Sequence, residues 1–169
     1  LKFISKWLSR NLLKLNPEKT EIVVVQPKDH IWSDLFWPGE LGPTPSPTFS
    51  AKSLGIQVEK KLSMVSQVKS VCSTCIRLLR MLSGLVPILS PDVLRSMVLA
   101  MIISRLDYGN SIYLGLPTGS LLLLQRIMND AARLVHGLPR SSHATPLLRG
   151  LCWLPIRQRV EFKALCMSF

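Results

Sequence analysis

The sequence predicts an α+β fold, mostly α, on three observations. A β-branched run, Ile22-Val23-Val24-Val25, stands between Asn16-Pro17 and a proline-crowded stretch. A second short segment, Ser53-Leu54-Gly55-Ile56-Gln57-Val58, reads as another strand. From residue 65 onward the apolar residues recur at helical spacing, interrupted at Gly and Pro. A small sheet contribution followed by a bundle of helices is therefore expected, with residues 1–61 and 62–169 as its two regions.

Each element has a local reason. Residues 3–15 place Phe3, Trp7, Leu8, Leu12 and Leu15 on one side of a helix and Lys6, Arg10 and Lys14 on the other. Asn16-Pro17 ends it, because Pro disfavours helical geometry in the residue before it. Residues 26–50 hold five of the 12 prolines and read as an irregular connection, with room for a short hairpin over residues 31–37. Its Trp32, Phe36 and Trp37 read as aromatics folded back on their own domain in preference to a partner-binding patch. After the second strand, residues 65–82 form a helix with Val65, Val68, Cys72, Cys75, Leu79 and Leu82 inward and Lys69, Ser73, Arg77 and Arg80 outward. Ser90-Pro91-Asp92 opens the next helix with an N-cap, a first-turn proline and an acid near the positive dipole end. That helix turns Val93, Met97, Ala100, Met101 and Leu106 inward, and either stops there or continues past Tyr108 into Ile112. Pro117-Thr118 starts a helix with Leu121, Leu124, Met128, Ala131 and Val135 inward, outward pairs Arg126–Asp130 and Asp130–Arg133, and Gly137 as its stop. Thr145-Pro146 and Leu154-Pro155 begin the last two.

Composition narrows the function. With 47% hydrophobic residues over 169 positions, the chain has material for a core of its own. Charge is uneven: residues 1–51 carry six Lys/Arg and five Asp/Glu, residues 52–169 fifteen and five, net +10. Basic charge gathered in one region points to a polyanion, nucleic acid first and an anionic membrane surface second. No apolar run approaches the roughly 18 residues that span a bilayer, so no membrane partner is expected. The start on Leu1, the lack of a signal-peptide pattern and the uncapped helical pattern at the end predict a segment of a longer protein.

Cys72 and Cys75 form a Cys-x-x-Cys, yet both fall on an apolar helix face and no second ligand pair accompanies them. They read as small buried hydrophobes, with Cys152 and Cys166 as lone thiols, which suits a reducing intracellular compartment, nuclear or cytoplasmic. His30, His136 and His143 are too scattered for a metal set, and His136 fits a helix C-terminus. The acids are equally dispersed: Glu18 and Glu21 flank a turn, and Asp107 and Asp130 stand alone. No metal site is expected.

Five strings, in order, carry a resemblance. They are Ile4-Ser5-Lys6-Trp7 with Leu12-Leu13-Lys14-Leu15-Asn16-Pro17-Glu18-Lys19-Thr20-Glu21, then Ser53-Leu54-Gly55-Ile56-Gln57-Val58, then Ser104-Arg105-Leu106-Asp107-Tyr108-Gly109-Asn110. Leu124-Gln125-Arg126-Ile127-Met128-Asn129-Asp130-Ala131-Ala132-Arg133-Leu134 and Leu151-Cys152-Trp153-Leu154-Pro155-Ile156-Arg157-Gln158-Arg159-Val160-Glu161-Phe162-Lys163 complete the set. Together they resemble the region after the catalytic aspartates in reverse transcriptases of jockey-type, non-LTR (LINE) retrotransposons, from palm motif D through the primer grip into the thumb. Departures are Glu59 where that family usually has Asp, Gly109 where Cys is common, Asp130 where Ala is common, and Cys152 where His is common.

The resemblance implies a palm remnant over residues 1–61, a thumb-like helical region over 62–169, and a fragment of an RNA-directed DNA polymerase that grips a primer–template duplex. By that resemblance the remnant keeps a short β-hairpin of the palm sheet, the Leu-Gly hairpin that grips the primer end. Polymerisation of that kind requires paired aspartates holding two metal ions, and no Tyr-x-Asp-Asp or Phe-x-Asp-Asp string occurs here. The segment alone is thus expected to be inactive, with no cofactor of its own and Mg2+ implied only for a site preceding Leu1. The missing fingers–palm portion is the expected protein partner. Lys19 matches the motif D lysine near the incoming nucleotide's phosphates, an accessory role that stands against a plain turn lysine paired with Glu21. Gly55, beside Leu54 in the primer-grip string, reads either as a close approach to a sugar-phosphate or as a simple bulge. Lys52, Lys60 and Lys61 bracket it. Lys69, Arg77, Arg80, Arg126, Arg133, Arg157 and Arg159 could line a duplex, giving affinity without sequence information. The competing expectation is a non-catalytic helical module that binds RNA or DNA, or a protein-interaction bundle derived from such an element.

Overall fold

Helix α1, Lys2–Arg10, ends earlier than the Asn16-Pro17 signal predicts. In the computed structural model, which describes residues 2–14, 16, 19, 21–23, 47–48 and 50–168, Leu12 takes a left-handed conformation (φ 58°) just past the helix. Leu13 N–H donates to the Leu8 carbonyl (2.9 Å) and Leu12 N–H to that of Ser9 (3.3 Å), so the last carbonyls are closed off by a Schellman turn. Phe3, Trp7 and Leu12, expected to face inward, are exposed. The helix thus stops where local hydrogen bonding closes it, before the proline acts. Leu15, Pro17, the 31–37 hairpin, Trp32, Phe36, Trp37, His30, Glu18, Val24 and Val25 lie outside the described residues.

Strand β1, Ile22–Val23, pairs in parallel with β2, Pro47–Thr48. The Ser53–Val58 segment is not one strand. Strand β3, Ser50–Ser53, and strand β4, Ile56–Glu59, form an antiparallel hairpin with Ser50 opposite Glu59 and Ser53 opposite Ile56. Leu54 (φ 48°) and Gly55 (φ 82°) are the two loop residues, both left-handed, which matches the twist of a tight hairpin. Gly55 is therefore a turn residue and not a bulge within a strand. It supplies the second turn position, where a side chain is disfavoured.

The chain divides into two units, Leu1–Ser63 and Met64–Phe169, two residues beyond the expected boundary. The second unit opens with α2, Val65–Leu85, whose buried Val68, Cys75 and Leu82 are seven residues apart and make one stripe. Val65, placed inward by its spacing, is exposed at the helix start. Ser90 caps α3, Pro91–Val98: its hydroxyl accepts the Val93 N–H, and Pro91 occupies the first turn. A π-helical turn, Leu99–Ile103, joins it to α4, Ser104–Asp107. The buried side chains are Leu94, Val98, Ile102, Ile103 and Leu106, while Val93 and Ala100 face solvent. Met97, Met101 and Leu106 pack against the core as the spacing predicts, and Val93 and Ala100 do not, because Val93 lies in the exposed first turn and the π turn holds an extra residue. Tyr108 and left-handed Gly109 (φ 61°) end the helix, and a 3-10 turn, Asn110–Tyr113, follows.

Helix α5, Thr118–Val135, is the central element, packing against α2, α3, α6 and α7. Leu124, Met128 and Ala131 are buried as the periodicity predicts, and so are Ile127 and Ala132. Two adjacent alanines at full burial let the neighbouring helices come close. A Schellman turn ends α5, with Leu138 N–H on the Arg133 carbonyl (3.0 Å), Gly137 N–H on Leu134 (3.1 Å) and Gly137 left-handed (φ 63°). Helix α6, Ala144–Gly150, begins one turn position earlier than Thr145-Pro146 implies, so Pro146 sits inside its first turn, where no N–H is needed. Its end repeats the Schellman pattern, with Cys152 (φ 55°) in the place usually held by glycine. Helix α7, Ile156–Ser168, starts after Pro155. The molecule is α+β, mostly α, and no helix among the described residues is long and apolar enough to cross a membrane.

Candidate nucleic-acid interface

Spacing along α2 sets one wall of the site. Lys69, Ser73, Arg77 and Arg80 are four, four and three residues apart, share one side of the helix, and are all exposed. The turn at Gly137 sends the chain back toward α2. There Arg80 and Arg140 flank a cleft of about 270 Å³, lined also by Ile76, Leu79, Leu134, Leu138 and Arg133. Arg133 is held on two sides: Nη1 donates to Asp130 Oδ1 (2.9 Å) and Nε to the Ser142 carbonyl (2.9 Å). Its side chain keeps 18% exposure, so its cationic plane is fixed at the cleft wall. Three arginines against one carboxylate leave the cleft positive. Residues 64–169 as a whole carry twelve Lys/Arg and four Asp/Glu.

The other candidates fall elsewhere. Lys52, Leu54 and Gly55 are exposed on the β3–β4 hairpin, with Lys60 half-buried and Lys61 exposed just after it, all in the first unit. Lys19 is exposed, its N–H on the Asn16 carbonyl (3.3 Å), and Glu21 is exposed too. Arg157 is exposed and pairs with Glu161 one turn on (3.0 Å).

Arg159 departs from its expected place along a duplex. Nη1 donates to Asp107 Oδ2, Nε donates to the Leu154 carbonyl (2.8 Å), and only 17% of the side chain is exposed. Asp107, expected to stand alone, also accepts from Asn110 Nδ2 (3.3 Å). A second link runs from α5 to α7: Gln125 Oε1 accepts the Ile156 N–H (2.8 Å), supplying a helix-start partner, while Gln125 Nε2 donates to Asn129 Oδ1 (2.8 Å). The strings around Asp107, Gln125 and Arg159, distant in sequence, thus meet as a clasp that joins α4, α5 and α7. These side chains hold helices together.

Cys75 is fully buried and Cys72 partly so. Burial pushes the Cys75 thiol up from 9.0 to about 11, with Cys72 adding to the effect and Arg105 opposing it. Burial raises Cys72 as well. Both are therefore protonated at neutral pH, a poor state for a nucleophile or a metal ligand. Among the described residues no three His, Cys, Asp or Glu gather into a metal-binding group. No family model, curated protein or solved structure matches this chain.

Sequence reasoning counted Arg133 among the cations that could line a duplex, partly occupied by Asp130, and missed Arg140 altogether. Arg140 follows Gly137-Leu138-Pro139 in a connection, where helical periodicity has no hold. The only local signal was the helix-stopping Gly137, which reverses the chain but does not say toward what.

Proposed function

We propose that the second unit binds the sugar-phosphate backbone of nucleic acid along the α2 stripe and the adjoining cleft. The observation that carries this is the convergence of Arg80, Arg133 and Arg140 beside Lys69 and Arg77, charge drawn from three separate elements onto one side. Phosphate contacts of this kind give affinity and position without reading sequence. With the resemblance of the five strings, this supports a segment of a non-LTR retrotransposon reverse transcriptase that grips primer–template duplex and lacks the metal-holding aspartates. The exposed Phe162, Leu165 and Met167 of α7 favour a second reading, a surface for another protein, the remainder of such a polymerase being the fitting candidate.

Titration of labelled duplex at increasing salt tests the reading. Each phosphate contact releases condensed counterions, with log affinity falling by about 0.9 per contact per log unit of salt. Replacing Lys69, Arg77 and Arg80 together with Gln is expected to flatten that slope by about two to three units with helix content intact. A wild-type chain that ignores duplex at about 50 mM salt, or an unchanged slope in the variant, would leave only the protein-interaction reading.

A further inference from the structure

We propose that the cleft between α2 and the α5–α6 connection takes one unstacked nucleotide, so that the protein prefers a duplex bearing a single-stranded extension to a blunt one. This rests on the nucleic-acid reading above and adds the form of the ligand.

The cleft is a poor match for a bare phosphate. Ile76, Leu79, Leu134 and Leu138 present hydrocarbon inside a ring of cations. A phosphate gains from Arg80 and Arg140 but nothing from four aliphatic side chains. A duplex keeps its bases stacked within, offering only sugar and phosphate to a surface, and would leave that hydrocarbon facing water. A splayed base has what the cleft lacks a partner for: a flat, weakly hydrated face joined to a phosphate. Single strands are held with bases laid on aromatic rings or guanidinium planes and phosphates on surrounding cations, and here a guanidinium is the plane and aliphatic side chains cover the rest of the base.

Arg133 suits that role. Asp130 and the Ser142 carbonyl already fix its guanidinium, so little side-chain freedom remains to be lost on stacking. The volume, about 270 Å³, lies at the lower edge of the roughly 300–1,000 Å³ usual for small-ligand pockets, which limits the occupant to about one nucleotide. Base identity is not read. Ser83 Oγ donates its proton to the Arg80 carbonyl (2.7 Å) and Asp130 Oδ1 is engaged by Arg133, so the cleft offers acceptors and no side-chain donor but arginine with which to tell one base from another.

The test is fluorescence anisotropy of the full chain with three probes: a blunt duplex, the same duplex with a short thymidine overhang, and that overhang made of abasic sugars. The thymidine overhang is expected to bind about five- to tenfold tighter than the blunt duplex, with the abasic one falling back to the blunt value. Ile76→Gln, at a partly exposed position, is expected to abolish the preference, so that the thymidine-overhang and blunt probes bind it alike. Arg140→Gln should weaken the preference and flatten the slope by about one unit. Equal affinity for overhang and blunt duplex, an abasic overhang as tight as the thymidine one, or a full preference in Ile76→Gln overturns the nucleotide cleft alone. Binding to none of the probes overturns both this inference and the backbone reading beneath it.

Discussion

Asp107→Ala removes the acceptor that Arg159 holds from 52 residues away, and its cost follows from burial. Removing one partner of a fully buried pair costs about 3–5 kcal/mol, because the remaining charge is left without compensation. Exposed pairs contribute about 0–1 kcal/mol. Arg159 and Asp107 retain 17% and 33% exposure, so the pair lies nearer the buried limit, discounted for water at the carboxylate. Asn110 also loses its hydrogen bond to Asp107. About 2–3 kcal/mol of destabilisation is expected, a urea midpoint lowered by about 1–2 M at an ordinary slope for a domain of this size. Far-UV circular dichroism reports it, since the long helices α2 and α5 belong to the second unit. Arg159→Met should cost less than Asp107→Ala, because the carboxylate left behind is 33% exposed to water and keeps its hydrogen bond from Asn110. The double variant should recover about 1–2 kcal/mol relative to the sum of the singles. Coupling below about 0.3 kcal/mol would refute the clasp.

Cys72→Ala with Cys75→Ala is expected to cost about 1–2 kcal/mol through lost packing, leaving metal content unchanged; stoichiometric zinc lost with the pair would overturn this. The Cys75 thiol is raised on folding, so its protonated form favours the native state: stability is full below pH 9 and declines as pH rises from 9.0 to about 11. That decline should be smaller in the double variant, as read by denaturation at several pH values. Cys152→Gly places glycine at a left-handed helix terminus and should raise stability by about 1 kcal/mol in thermal or urea melts. On a primed RNA template with Mg2+ or Mn2+ the chain is expected to incorporate no nucleotide above a mock preparation, for want of a paired-aspartate site.

The order of strands before helices, the Ser90 cap with Pro91, the stop at Gly137 and the inward Leu124, Met128 and Ala131 of α5 were all determined by residues next to one another. Capping and periodicity are local physics, settled within one or two turns. Local physics also misled. Asn16-Pro17 announced a helix end, but the chain had already closed at Leu12, and Leu54-Gly55 looked like strand until β3 supplied the partner that makes it a turn. The outward place of Ala100 depended on a π turn that apolar residues on every side conceal. Only the tertiary structure decided the fate of the charges. Arg77, Arg133, Arg140 and Arg159 carry no mark in their neighbouring residues that separates their fates. Packing put Arg159 against Asp107 and made it a brace, pinned Arg133 with Asp130, and brought Arg140 round to face Arg80. Whether a cation is spent inside the fold or offered to a polyanion depends on which carboxylate lies within hydrogen-bonding reach, and that is a property of distances in space.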